Sequence, residues 1–182
     1  KNWLKTHYVD GPVTLTNNGH TIQAGEQANT RDTLTLDKQT WTLQQFHFHA
    51  PSENTVHGKR YAMEMHLVHK NASGELTVVA VMFDKGAANP ELEKLWRVMP
   101  QQAEQNVSIK QDLNLNKLLP KNKTYWRFSG SLTTPPCSEG VTWIVLKQPL
   151  TVSAEQLARF TQTMHHDNNR PVQSLHGRVV VE

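Results

Sequence analysis

Hydrophobic and polar residues alternate along several stretches of this chain, which is the pattern of strands that have one buried face. Turn-forming sequences separate these stretches: Asn17-Asn18-Gly19, Asn71-Ala72-Ser73-Gly74 and Thr134-Pro135-Pro136. Apolar residues recur at helical spacing in residues 90–98 and in a segment that begins after the capping residue Ser153 and ends at Met164. The pattern therefore predicts a mainly β (α+β) fold with short peripheral helices.

The alternation from Trp41 to His49 places two histidines side by side. Side chains two residues apart in a strand lie on one face, so Gln45, His47 and His49 are expected on the same face. The phenylalanines between them then point into a core. A rigid strand that packs on aromatic side chains and carries two adjacent imidazoles is suited to binding a metal ion.

A second segment, Tyr61 to His69, offers a third imidazole. The same rule places Glu64, His66 and Val68 on one face. Three neutral histidines around Zn²⁺ leave the fourth tetrahedral position to water, which is the arrangement of a catalytic zinc site. Gln45 and Glu64 each lie two residues from a candidate ligand, where they could accept its other ring N–H.

Spacing alone leaves other interpretations of these histidines open. A His-x-His pair on a strand is more often exposed or hydrogen-bonded than bound to a metal. A mixed site that includes Cys137, the single cysteine, is also conceivable. The proximity of the two strands is assumed in either case, so the surrounding sequence has to decide.

Composition excludes several classes of function. The longest apolar run, residues 78–83, is far shorter than the roughly 20 residues that cross a bilayer, so no membrane span is expected. The net charge of +3 is scattered without a basic block, which disfavours nucleic acid as a partner. No repeat or linker divides the chain, so residues 1–182 are expected to form a single domain.

Several motifs resemble those of the α-class carbonic anhydrases, from about Val13 to the end of the chain. The matching segments are Asn17-Asn18-Gly19-His20-Thr21, Gln45-Phe46-His47-Phe48-His49, Pro51-Ser52-Glu53-Asn54, Glu64-Met65-His66-Leu67-Val68-His69, residues 130–141, residues 143–147, and Asn168-Asn169-Arg170-Pro171-Val172-Gln173. The Pro-Ser-Glu-Asn and Pro-Pro-Cys-Ser-Glu-Gly segments are closer to the bacterial members than to the animal ones.

This resemblance implies a fold, an activity and a metal. The fold is a large, twisted, mostly antiparallel central sheet with peripheral short helices. The activity is the reversible hydration of carbon dioxide to bicarbonate and a proton through a zinc-bound hydroxide. The resemblance assigns Zn²⁺ to His47, His49 and His66, and it makes Gln45 and Glu64 the residues that orient two of these ligands.

Further roles follow from the same resemblance. Thr133 accepts a hydrogen bond from the zinc hydroxide and donates a hydrogen bond to Glu53. His20 matches the proton shuttle of the family, because an imidazole with a pKa near 6.5 can take up and release a proton near neutrality; otherwise it is an ordinary residue of an Asn-Gly turn. The substrate pocket is assigned to Val68, Val78, Leu132, Thr134, Val141 and Trp143, although Val78 and Val141 also suit an ordinary strand core.

The chain lacks the Trp- and Tyr-rich segment with which members of this family usually begin, so an N-terminally truncated form is expected. That segment usually supplies a tyrosine of the proton path and, in bacterial members, a cysteine that pairs with the equivalent of Cys137. Truncation is expected to leave a sheet edge or apolar patch exposed, which favours a homodimer. The family also implies binding of sulfonamide-type or anion inhibitors at zinc and a periplasmic or secreted location.

Two alternative functions are weighed against the enzyme. The first is a zinc-binding but poorly active truncated form, or a non-catalytic interaction domain of the same fold; the three intact histidines argue against the latter. The second is a different zinc hydrolase, which the absence of a His-Glu-x-x-His motif disfavours.

Overall fold

The computed structural model describes residues 4–26, 32–109, 112–133, 137, 139–165 and 168–169. The strands in these residues are β1 Lys5–His7, β2 Val13–Asn17, β3 Ile22–Glu26, β4 Thr33–Leu36, β5 Gln39–His49, β6 Thr55–Val56, β7 Lys59–Arg60, β8 Met63–Lys70, β9 Leu76–Lys85, β10 Gln105–Ser108, β11 Tyr125–Ser131, β12 Glu139–Leu146 and β13 Leu150–Val152. The helices are α1 Pro90–Trp96 and α2 Ala154–Met164, with a 3₁₀ turn at Leu115–Leu118.

Eleven of the described strands form one large mixed sheet. Its main order is β10-β2-β3-β5-β8-β9-β12-β11, with β1, β4 and β13 paired at its sides, while β6 and β7 form a separate hairpin. The described pairings are antiparallel except that β12 and β13 run parallel to β9. The predicted mainly β fold with a mostly antiparallel central sheet is therefore confirmed.

Strand β5 contains an irregularity of register between Leu43 and Gln45. Leu43 before the irregularity and Phe46 and Phe48 after it all point into the same core, although they differ in parity along the chain. One extra residue in a strand reverses the alternation beyond it. The reversal keeps the large apolar side chains together and leaves His47 on the opposite face of the sheet.

Both helices cover the core face of the sheet, behind the histidines. Trp96 of α1 packs edge-on against Phe48 at 4.9 Å between ring centroids and stacks on Phe160 of α2 at 5.7 Å. Ser153 and Gln156 form a capping box at the start of α2. Both predicted helices are confirmed, and their aromatic rings give the histidine-bearing strand a packed support.

The described residues offer little exposed apolar surface. The large hydrophobic side chains that are exposed among them are Val9 and Val98. Neither described helix has the length and apolarity required to cross a bilayer. The homodimer stays a prediction.

His69 is a buried histidine on the core face. Its Nδ1–H donates to the Thr77 carbonyl at 3.3 Å, so its Nε2 accepts the hydroxyl hydrogen of Tyr8 at 2.6 Å. Burial lowers the pKa of His69 to about 4, against small opposing effects of backbone hydrogen bonds. The imidazole is therefore neutral at neutral pH and links the chain before β2 to strands β8 and β9.

We expect His69 to make the folded state sensitive to acid. Its folded pKa of about 4 lies below the ordinary 6.5, so the unfolded chain binds more protons between these pH values. The contribution is complete above pH 6.5 and is lost as pH falls towards 4. It amounts to about 3 kcal/mol, at about 1.4 kcal/mol per pKa unit.

Urea unfolding of the native chain and of His69→Gln across this pH range tests the expectation. The gap in unfolding free energy between the two proteins should narrow as pH falls. His7→Gln, at an exposed position of β1, is the control and should produce no narrowing. A constant gap for His69→Gln would contradict the assigned protonation.

Candidate metal centre

The pairing of β5 with β8 brings three histidines together. His47 lies directly opposite His66, and His49 lies two residues further along β5. The ring centroids are separated by 4.9 Å for His47 and His49, 5.3 Å for His47 and His66, and 4.7 Å for His49 and His66. One ring nitrogen of each imidazole lies within 4.8 Å of the other two, and all three side chains are buried.

Two of these histidines are oriented by side chains on their own strands. The Nδ1–H of His47 donates to Gln45 Oε1 at 2.7 Å, and the Nε2–H of His66 donates to Glu64 Oε2 at 2.6 Å. Each such bond fixes the ring and leaves the lone pair on the other nitrogen. Gln45 and Glu64 thus occupy the positions that the sequence predicts for the residues that orient His47 and His66.

The third histidine is oriented by the backbone. The Nδ1–H of His49 donates to the carbonyl of Asn168 at 3.1 Å. Its Nε2 is buried and has no hydrogen-bond partner among the described residues. The sequence predicts no partner for His49, because every residue has a backbone carbonyl and residue type does not show which one accepts. The available sequence signal is the motif that begins at Asn168.

Glu64 is a buried, ionised carboxylate. Besides His66, it accepts hydrogen bonds from the backbone N–H groups of Glu53 and Asn54 at 2.9 and 2.8 Å, and from the Asn54 side chain at 2.6 Å. Burial raises the pKa of Glu64, but the charge and hydrogen bonds of His66 and Asn54 outweigh it and bring the pKa below its usual value. Burial lowers the pKa of His66, but Glu64 outweighs it and raises the pKa overall.

The surroundings of His47 and His49 favour their neutral forms. Burial, followed by the neighbouring imidazoles, lowers the pKa of His47 well below its usual value. Burial and His66 lower the pKa of His49 to about 3. Neutral imidazoles with a free lone pair are the form that binds zinc. The donor set, and a buried His49 Nε2 that makes no hydrogen bond within the described residues, therefore fit a metal such as Zn²⁺ at this position.

Glu53 and Thr133 lie beside the three histidines. The Thr133 hydroxyl donates a hydrogen bond to Glu53 Oε1. The same carboxylate oxygen lies 3.4 Å from His49 Nε2 and 3.8 Å from His66 Nδ1. Because a carboxylate only accepts, the Thr133 hydrogen is committed to Glu53, and the hydroxyl oxygen keeps its acceptor capacity for another group.

An apolar cluster lies on the histidine face of the sheet. Its buried members are Val68, Val78, Ala80, Met82, Val141, Trp143 and Val145, with Leu132 among the residues packed against them. The Trp143 ring contacts the His66 ring edge-on at 4.8 Å between centroids. Five of the six residues predicted to line the substrate pocket thus lie in or against one cluster beside a histidine of the site. The sixth, Thr134, is outside the described residues.

His20 is not part of the buried group. It is exposed and occupies the turn between β2 and β3. Strand β3 pairs with β5 through Gln23 and His47, so the turn lies near the histidine-bearing end of β5. The structure therefore places the predicted proton shuttle at the surface, next to the strand that bears two histidines of the site.

Comparisons with known proteins identify the family. The sequence model of the eukaryotic-type carbonic anhydrase family matches residues 2–182, and the chain belongs to this family. A carbonic anhydrase from Klebsiella pneumoniae is 70% identical over 179 residues, which cover 98% of this chain and 73% of that protein. A carbonic anhydrase from Pectobacterium carotovorum is 51% identical over 178 residues. The match covers 98% of this chain and 72% of that protein.

A solved structure agrees with this assignment. The α-carbonic anhydrase of Thermovibrio ammonificans, in complex with the inhibitor sulfanilamide, matches with a TM-score of 0.95 at 49% identity. The match covers 98% of this chain and 78% of that one. The predicted family, fold and enzyme class are confirmed.

We expect Gln45→Ala to weaken zinc binding by about 10–100-fold, which is the usual effect of removing a group that orients a ligand histidine. Without the Gln45 oxygen, the His47 ring loses the bond that fixes its donor nitrogen. Competition with a chromophoric chelator measures the affinity. The control is Gln44→Ala, which changes the exposed neighbour. Equal affinities of the two variants would contradict this role of Gln45.

Proposed function

We propose that this chain binds one Zn²⁺ through His47, His49 and His66 and catalyses the reversible hydration of carbon dioxide to bicarbonate and a proton. The buried Nε2 of His49, which makes no hydrogen bond within the described residues, is the observation that carries the proposal. It belongs to a trio of imidazole nitrogens that lie within 4.8 Å of one another. When bound, Zn²⁺ supplies the nucleophile by lowering the pKa of a water ligand to about 7, a value established for carbonic anhydrases.

Thr133 and Glu53 orient the attacking oxygen in this proposal. The Thr133 hydroxyl donates its hydrogen bond to Glu53, so it can only accept a hydrogen bond from the nucleophile. An attacking oxygen that donates to Thr133 therefore turns its lone pair away from that hydrogen bond and towards the substrate. Fixing this orientation before reaction removes part of the entropic cost of reaching the transition state.

The apolar cluster provides the surface for carbon dioxide. The substrate carries no charge, so a wall that includes Val68, Leu132 and Trp143 suits it and excludes bulk water from the histidine face. These side chains offer few hydrogen-bonding groups to compete for the attacking oxygen. A neutral substrate can therefore enter this region, whereas a peptide would leave polar groups unpaired.

His20 is the proposed acceptor of the proton that each hydration releases. An exposed imidazole can take a proton on one ring nitrogen and pass it to buffer near neutral pH. The buried histidines of the site are unsuited to this role because their second nitrogens are occupied by Gln45, Glu64 and the backbone.

Inhibitor binding at the metal and the location of the protein are also proposed. Sulfonamides and small anions are expected to bind at the metal, and the sulfanilamide complex of the Thermovibrio ammonificans relative supports the sulfonamide class. A periplasmic or secreted location is proposed on the bacterial-type motifs alone.

Removal and replacement of the metal tests the proposed function. The purified chain is stripped with dipicolinate and then given Zn²⁺, or Mg²⁺ as the control ion. Metal content and carbon dioxide hydration by stopped flow are measured at each stage. We expect one zinc per chain, loss of hydration on stripping, and recovery with Zn²⁺ that sulfanilamide inhibits. Full zinc content without hydration would instead favour the poorly active or non-catalytic alternative.

A further inference from the structure

The Asn168 side chain joins three segments around the metal centre. Its Oδ1 accepts the backbone N–H of Ala50 at 2.8 Å. Its Nδ2 donates to the carbonyls of His20 and Phe48 at 3.1 and 2.9 Å. The backbone carbonyl of the same residue accepts the Nδ1–H of His49. One asparagine therefore connects a proposed zinc ligand with the turn that carries the proposed proton acceptor.

The peptide of His20 is held on both sides by asparagine carboxamides. Its N–H donates to Asn18 Oδ1 at 2.9 Å, and its carbonyl accepts the Asn168 Nδ2–H. The next residue, Thr21, donates its hydroxyl to the Phe48 carbonyl at 2.6 Å. Because the His20 side chain is exposed, core packing does not hold this residue; hydrogen bonds of its backbone hold the turn that carries it.

We propose that the Asn168 carboxamide is a positioning residue for proton transfer, which it serves by holding His20 at a fixed place relative to His49. The inference rests on the proposed carbon dioxide hydration. The two parts of Asn168 have separate tasks: its carbonyl orients the His49 ring, and its side chain holds the His20 turn. Transfer of a proton depends on the position of its acceptor, so loosening this turn slows the transfer step and leaves the attack on carbon dioxide unchanged.

Asn168→Ala separates these tasks, because alanine keeps the carbonyl and removes the carboxamide. Proton removal follows bicarbonate release, so it contributes to kcat and not to kcat/KM. At low buffer concentration we expect kcat to fall about 10-fold, the scale of a modest misplacement of a reacting group. Added imidazole should restore kcat, while kcat/KM and zinc affinity should stay unchanged.

Hydrogen exchange of the metal-free protein tests the structural cause of the expected loss of kcat. In the stripped chain, hydrogen exchange of the amides of residues 18–21 should accelerate in Asn168→Ala. Asn169→Ala is the matched control, since the described contact of that side chain is a 3.4 Å hydrogen bond to the Ser52 carbonyl. Asn168→Asp keeps an acceptor for the Ala50 N–H but loses both donated bonds, so it provides the test if the alanine variant fails to fold.

A double variant identifies the route of the effect. Asn168→Ala should lower kcat no further in a His20→Ala background, because the carboxamide acts through His20. The inference is overturned if both Asn168 variants match Asn169→Ala in kcat, or if imidazole leaves their loss of kcat unrepaired. A native chain that holds no zinc or does not hydrate carbon dioxide would overturn the proposed function itself, and this inference with it.

Discussion

His47→Ala is expected to eliminate stoichiometric zinc binding and to reduce zinc-dependent hydration of carbon dioxide by more than about 100-fold. The loss of a group that merely orients a ligand already costs about 10–100-fold. This variant removes a proposed ligand from a trio that has no fourth imidazole beside it in the described residues. Elemental analysis of the purified protein gives the zinc content, and stopped flow gives the rate.

His7→Ala is the matched control for the change of residue type, because His7 is exposed on β1, apart from the trio of histidines. It should keep the zinc content and the rate of the native chain. Circular dichroism of both variants confirms that the sheet is intact. A His47→Ala protein that retains one zinc and a native rate would remove this histidine from the metal centre.

Thr133→Ala is expected to lower kcat/KM for hydration by about 100-fold, the scale of losing one preorganised hydrogen bond at a reacting atom. Without the hydroxyl, the attacking oxygen loses the acceptor that sets its orientation, while the three histidines keep their hydrogen bonds. Zinc content should therefore stay at the native value. The measurement is the initial rate at several carbon dioxide concentrations, together with zinc analysis of the same sample.

Thr133→Ser preserves the hydroxyl and should keep most of the native rate. Glu53→Ala should lower the rate in the native background but add little to Thr133→Ala, because Glu53 acts through the Thr133 hydrogen. Additive losses would show that Glu53 has a separate role, for which its contacts with His49 and His66 provide a geometric basis.

The apolar cluster shows a limit of prediction from sequence patterns. Val78 and Val141 suited an ordinary strand core as well as a substrate wall, because both use β-branched residues in the same alternation. The parallel pairing of β12 with β9 sets Trp143 beside Val78, and the antiparallel pairing of β8 with β9 sets Val68 opposite Val78. These registers place the residues in one cluster on the histidine face.

Local sequence by itself determined the mainly β character, both helices, the Ser153 cap, and the strand faces of His47, His49 and His66. These features depend on the period of two in strands, on the period of 3.6 in helices and on capping within a few residues. The resemblance to α-class carbonic anhydrases then selected zinc among the open interpretations.

Tertiary structure alone decided the rest. The irregularity in β5 places Leu43 and Phe48 in the same core, the register of β5 with β8 sets His47 opposite His66, and Asn168 reaches His49 from 119 residues further along the chain. Each of these depends on contacts between distant segments or on backbone carbonyls, which every residue possesses. Residue type therefore does not specify these contacts, and the motif that begins at Asn168 was the available sequence signal for the last of them.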